Sequence, residues 1–192
     1  MVTPPQLRVV FFGTPAFAVP TFEALLASRH PLVGVVTQPD RPRGRGQQTT
    51  PGPVKDRALL AGVPVLQPPT LKDPGVVAAL AELGADIGVV AAYGKILSEQ
   101  LISTPRLGMI NVHASLLPKY RGAAPVHRAV IAGEHETGVT IMRVVRALDA
   151  GPMLATAVRS IDEQETSEAV ERALAVIGAS LLVATLNRMS EG

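Results

Sequence analysis

Four short segments, LRVVFF (7–12), PLVGVVTQ (31–38), ADIGVVAAY (85–93) and GMINVHAS (108–115), are apolar at successive rather than alternate positions. A strand with that pattern must be covered on both faces, the situation of a parallel sheet flanked by helices. Helical patterns separate the runs: AFAVPTFEALLAS (16–28), with Thr14 and Pro15 read as its cap and first-turn proline, then PVKDRALLAGV (53–63), DPGVVAALAELG (73–84), the short SEQLIST (98–104) and APVHRAVIAGE (124–134). PVLQ (64–67) adds a short strand. Beyond residue 135 the order changes, because ETGVTIMRVV (136–145) and MLATAVRSI (153–161) read as neighbouring strands joined through RALDAGP. A last helix begins near Thr166, with Val170, Leu174, Ile177 and Leu181 at helical spacing. The expected fold is α/β: a Rossmann-like, largely parallel sheet with helices on both faces, one domain over residues 1–192.

Composition removes several function classes. An apolar content of 47% supports a buried core, and zero Cys excludes disulfides, thiolate catalysis and most structural zinc sites. No apolar run approaches the roughly 20 residues that cross a membrane, and MVTPPQLRVV lacks the basic and apolar regions of a signal peptide. The expectation is a cytoplasmic protein with no membrane partner. A net charge of +2 is too small to imply nucleic acid by itself, so any basic surface must be local.

Common nucleotide and metal motifs fail on inspection. The turn after the first strand reads GTPAFA rather than G-x-G-x-x-G, so a dinucleotide is disfavoured. GVVAAYGKI has one residue too many for a P-loop, and Ile96 stands where a hydroxyl would bind magnesium. The four His, at 30, 113, 127 and 135, contain no H-E-x-x-H, and no metal is expected. His127, on a helix, and His135, in a polar turn, are read as packing or capping groups.

INVHASLLPKYRGAAP (110–125) is more informative. On a strand, Asn111 and His113 face the same side, and the carboxyl end of a parallel strand is where α/β sheets bind ligands. Acyl transfer to an amine develops negative charge on an oxygen, for which an amide and a protonated imidazole are suitable donors. Asp149 in RALDAG offers a carboxylate that could orient the imidazole, favour its charged form or accept protons through water. Spacing alone fits equally a His that caps a turn and an Asp that stabilises a bend.

NVHASLLPKYRGAAP followed by GVTIMRVVRALDAG closely resembles the folate-dependent formyltransferase superfamily. Within it, FFGTPAFAVPTFEALL, VVTQPDRPRGRG and AAYGKIL are similar to the methionyl-tRNA formyltransferases, and the matches run in order along most of the chain. The resemblance implies a catalytic trio of Asn111, His113 and Asp149, with 10-formyltetrahydrofolate as co-substrate and formyl donor. It implies a folate slot built from Tyr93, Gly94, Lys95, Ile96 and Leu97, from Ser115, Leu116, Leu117 and Pro118, and from Arg146 and Ala147 before the aspartate. Arg41, Arg43 and Arg45, in a loop over 39–53, would contact the tRNA acceptor stem, Arg45 foremost. Lys119 and Arg121 fit the folate's glutamate tail, the tRNA or a solvated basic loop, and Tyr120 lies in that loop. The implied reaction is formylation of methionyl initiator tRNA by a monomer. Alternatives are an amino-sugar nucleotide or glycinamide ribonucleotide as acceptor, or a non-catalytic folate- or RNA-binding module. Complete relatives carry a C-terminal β-barrel domain, which is expected to be absent here.

Overall fold

The two faces of strand β1 (Val9–Gly13) sort the core. In the computed structural model, which describes residues 4–43 and 48–192, Val9 and Phe11 join the larger apolar cluster, while Val10 and Phe12 join a second one across the sheet. This is the period-2 alternation of a strand buried on both sides. β1 lies between β2 (Leu32–Val36) and β6 (Ile87–Ala91), parallel to both, and β5 (Val65–Leu66) and β7 (Met109–His113) extend the parallel set outward. β8 (Glu136–Arg143) and β9 (Met153–Ser160) then add antiparallel strands, giving the seven-stranded order β5-β2-β1-β6-β7-β8-β9. The chain winds away from β1 through β2 and β5 and returns beside it as β6. Such a switch point opens a crevice at the carboxyl ends of the strands.

Helices α1 (Val19–Ala27), α2 (Pro53–Leu60), α5 (Pro125–Ile131) and α6 (Ser167–Glu191) contribute Phe22, Ala58, Val126 and Leu174 to the larger cluster. Among the described residues, the helices on the opposite face are α3 (Pro74–Glu82) and the one-turn α4 (Glu99–Ile102), with Leu80 and Leu101 as their buried anchors. The shortness of α4 leaves the ends of β6, β7 and β8 less covered on that face. By length and composition α6 could cross a membrane, a property masked in the sequence by Glu168, Glu171 and Arg172. Here its apolar side packs into the core, and a Cβ at Gly178 would stand 2.8 Å from Val112, so glycine permits this close approach of helix to sheet.

Two local readings are corrected. Thr14 does not cap a helix: residues Ala16–Ala18 form a 3₁₀ turn without a side-chain cap, and the Thr14 hydroxyl accepts from the Gln38 amide at 3.1 Å. The proline of the first α-helical turn is Pro20, at a position whose N–H has no helical partner to lose. Within the expected loop 39–53, β3 (Arg41–Arg43) and β4 (Gln48–Thr50) pair as an antiparallel ribbon apart from the main sheet. Proline and arginine there carry no apolar alternation by which a strand could be recognised. The ribbon's base is tethered through the Asp40 carboxylate, which accepts from Lys55 and from Gln67.

Candidate active site

Asn111 and His113 share the β7 face that carries buried Met109, and at the strand's end this face opens into a cleft of about 640 Å³. Cross-strand neighbours Val90 and Met142 flank Asn111, placing its half-buried amide between apolar walls. Farther along, the cleft is bordered by Ile96, 84% exposed, and Leu148, 65% exposed, together with Val145 and buried Leu97. Large apolar side chains left open around a few polar groups suit a flat heterocycle. The Tyr93 hydroxyl, deep in the same wall, is buried without a hydrogen-bond partner, and burial pushes its ionisation up to about 12.

The His113 ring is 6% exposed, with its Nδ1 3.6 Å from Asp149 Oδ2 and its Nε2 3.1 Å from the Tyr120 carbonyl oxygen. A carbonyl only accepts, so that bond requires a proton on Nε2. Asp149 is held in turn by the Gly122 amide, which donates to Oδ2 at 2.8 Å. Both residues therefore depend on the backbone of the 120–122 turn. Ala92, Tyr120, Ala124 and Asp149 are the non-glycine residues with positive φ among those described, at 45°, 56°, 49° and 45°. Three of them border the cleft and the fourth supplies the carbonyl that holds His113. Such conformations cost on the order of 1–3 kcal/mol each and persist where the surroundings over-determine them, typically at functional sites.

The remaining expected site residues divide between the cleft and its surroundings. Tyr93, Gly94, Lys95, Ile96, Leu97 and Arg146 border it, and Ala147 is exposed nearby. The Lys95 ammonium is committed to the carbonyls of Pro68 and Pro69 at 3.1 and 3.2 Å, so it braces the 92–97 loop. Ser115, Leu116, Leu117 and Pro118 do not border this cleft. The Ser115 hydroxyl is buried and donates to the Lys119 carbonyl, while the other three line a separate hollow of about 260 Å³. Thr140 holds them there, donating to the Ser115 carbonyl at 2.7 Å and accepting from the Leu117 amide at 3.2 Å. Arg41 is exposed and donates to Gln38 Oε1 at 3.3 Å, and Arg43 pairs across the ribbon with Gln48. Arg45 lies outside the described residues. Among the described residues no group of three or more His, Cys, Asp or Glu is arranged to hold a metal ion.

Sequence reading passes over several participants. Gln38 donates to the Tyr93 carbonyl at 2.7 Å, and Gly94, at φ +78°, makes room for it, since a Cβ there would stand 2.7 Å from Gln38 Nε2. One available signal is that Gln38 follows the carboxyl end of a core strand. His127, expected to pack or cap, is exposed on α5 at the cleft margin, where Phe17 and Glu171 also contribute. Tyr120 is not free in its loop: its hydroxyl donates to Glu134 at 2.8 Å and the Arg128 guanidinium lies 5.5 Å from its ring centroid.

A family model described as "Formyl transferase" matches residues 7–186. A protein named methionyl-tRNA formyltransferase from Pelotomaculum thermopropionicum is 51% identical over 186 residues, 97% of this chain and 59% of the relative. One of the same name from Pseudomonas syringae pv. syringae is 52% identical over 186 residues, with the same coverage. The chain thus spans about 59% of the length of these curated relatives. Among solved structures, phosphoribosylglycinamide formyltransferase from Bacillus halodurans superposes with a TM-score of 0.78 at 25% identity, covering 95% of this chain and 94% of that one. Glycinamide ribonucleotide transformylase 1 from Symbiobacterium toebii gives 0.81 at 19% identity, covering 97% and 89%, a likeness of fold alone.

Proposed function

Because this chain belongs to the formyl transferase family, we propose that it transfers the formyl group of 10-formyltetrahydrofolate to the amino group of methionyl initiator tRNA in the cytoplasm. The observation that carries this reading is that Asp149, remote in sequence, comes to border one cleft with the strand pair Asn111 and His113, between exposed apolar walls. The cleft's volume lies in the range of small-molecule sites, and the walls bearing Ile96, Leu97, Val145 and Leu148 fit the faces of a pteridine. The unpartnered Tyr93 hydroxyl adds a buried polar group within reach of this wall.

In the proposed reaction the acceptor nitrogen adds to the formyl carbon, and the carbonyl electrons move onto oxygen. The Asn111 amide donates to that oxygen, and the Nε2 proton of His113 does so as it leaves the Tyr120 carbonyl. The attacking nitrogen gives its proton to Nδ1 of His113, and the Asp149 carboxylate beside that atom complements the positive charge that develops on the ring. Re-formation of the C=O bond breaks the bond to the folate nitrogen, which leaves with the proton that Nδ1 returns. Arg41 and Arg43 lie on a ribbon with a tethered base, and together with Arg45 they would meet the phosphates of the acceptor stem.

Acceptor choice is favoured by identity to the methionyl-tRNA relatives, about twice that to the glycinamide ribonucleotide enzyme. The first turn agrees, because Pro15 offers no amide N–H to a nucleotide phosphate there. The test offers the protein charged initiator tRNA, charged methionyl elongator tRNA, glycinamide ribonucleotide and an amino-sugar nucleotide, each with 10-formyltetrahydrofolate. Formylation of the initiator species is expected. Preference for either nucleotide, or folate binding without transfer to any acceptor, contradicts the assignment.

A further inference from the structure

The turn that holds His113 and Asp149 is itself fastened from outside the cleft. Its inner side presents the Tyr120 carbonyl to His113 Nε2 at 3.1 Å and the Gly122 amide to Asp149 at 2.8 Å. Its outer side converges on Glu134, just beyond α5: Tyr120 donates its hydroxyl to Oε1 at 2.8 Å, and the Lys119 ammonium reaches both carboxylate oxygens at 3.1 Å. Arg128 closes the arrangement, donating to the Arg121 carbonyl at 2.6 Å while its guanidinium lies over the Tyr120 ring. The turn has reason to relax without such a fastening, since Tyr120 sits at φ +56°, a conformation unfavourable to any residue with a Cβ.

We propose that Glu134 is a positioning residue: by fixing the side chains of Tyr120 and Lys119 it fixes the Tyr120 carbonyl and Gly122 amide, and through them the proton position of His113 and the placement of Asp149. Glu134 does not border the catalytic cleft and touches no reacting atom. Its carboxyl is held below the usual range, first by the Tyr120 hydroxyl and then by Lys119, so it remains an acceptor at neutral pH. A half-exposed ion pair contributes little to global stability, which separates this role from a merely structural one. Displacing a reacting group by about 1 Å can lower turnover by up to a hundredfold with little effect on folding.

The kinetic arm rests on the formyl-transfer reading above, and a spectroscopic arm stands independently of it. Glu134→Ala is expected to lower kcat about tenfold or more, leaving the KM for folate and the melting temperature nearly unchanged. Glu134→Gln, which keeps an acceptor oxygen, is expected to recover most of that loss. Imidazole nitrogen shifts of labelled protein, assigned by His113→Gln, are expected to place the proton of His113 on Nε2 in the parent and to show mixed tautomers in Glu134→Ala, with His30 unmoved. An unchanged His113 signal, or an unchanged kcat, overturns the proposal, as does a joint shift of His30 and His113 with a lowered melting temperature. If Glu134→Ala does not fold, Tyr120→Phe, which deletes one hydroxyl, decides by the same criteria. A parent protein that forms no product refutes the formyl-transfer reading, while the nitrogen shifts still decide the positioning role.

Discussion

His30 and His113 are both buried, at 1% and 6% exposure, yet their partners differ in kind. His30 accepts from the Leu7 amide at 3.0 Å through Nδ1, and its Nε2 meets the Asn187 side-chain oxygen at 3.1 Å. One acceptor and one donor satisfy a neutral imidazole completely, and the ring ties the start of the sheet to the end of α6. His113 has an oxygen at each nitrogen, a carbonyl on one side and a carboxylate on the other, and its ring borders a cleft. Burial alone therefore identifies neither residue as functional. The distinction lies in whether the partners complete the neutral ring or leave a place for a second proton.

Replacing each histidine should break the comparison in opposite ways. His113→Ala is expected to reduce formyl-transfer turnover by about a hundredfold or more while folate still binds, the range for loss of one donor to a developing oxyanion. His30→Ala should leave turnover near normal but lower stability by about 2–4 kcal/mol, because it strands the buried Leu7 amide and the Asn187 oxygen; urea unfolding measures this. Gly94→Ala tests the cleft wall beside His113. Strain at φ +78° and the clash with Gln38 should cost about 1–2 kcal/mol and raise the KM for folate more than they lower kcat.

The smallest effect is pH-dependent. Burial holds His30 below its usual 6.5 in the folded protein, so on acidification the unfolded chain takes up the proton first. The stability linked to this residue is complete above about 6.5 and is lost as the pH falls from there through the depressed folded-state value. His30→Gln should flatten that part of the stability profile, measured by chemical denaturation across pH. An unchanged slope would show that other groups set the acid limit.

The sheet was legible because its strands are apolar on both faces, a pattern with one common solution: β2, β6 and β7 fall within the expected segments, and β1 passes its segment by Gly13. That Asn111 and His113 share a face was legible from strand alternation, while their role came only with the resemblance. Asp149 was legible only as a candidate carboxylate, since its place at the site comes from a positive-φ turn and a bond to Gly122 that spacing does not encode. The ribbon of β3 and β4 escaped because alternating arginine and proline look like loop. Gln38 and Glu134 escaped for a different reason: each acts by bonding to segments remote in sequence, at contacts created only when the sheet assembles.

If the Asp149 carboxylate beside His113 serves formyl transfer, Asp149→Asn exposes that role with the least disturbance. The substitution keeps the side chain's size and an oxygen for the Gly122 amide, but removes the negative charge 3.6 Å from Nδ1. Single-turnover transfer from saturating 10-formyltetrahydrofolate to charged initiator tRNA is expected to slow by about a hundredfold or more, with folate affinity retained. A near-parental single-turnover rate for Asp149→Asn would show that its carboxylate charge plays no part in transfer.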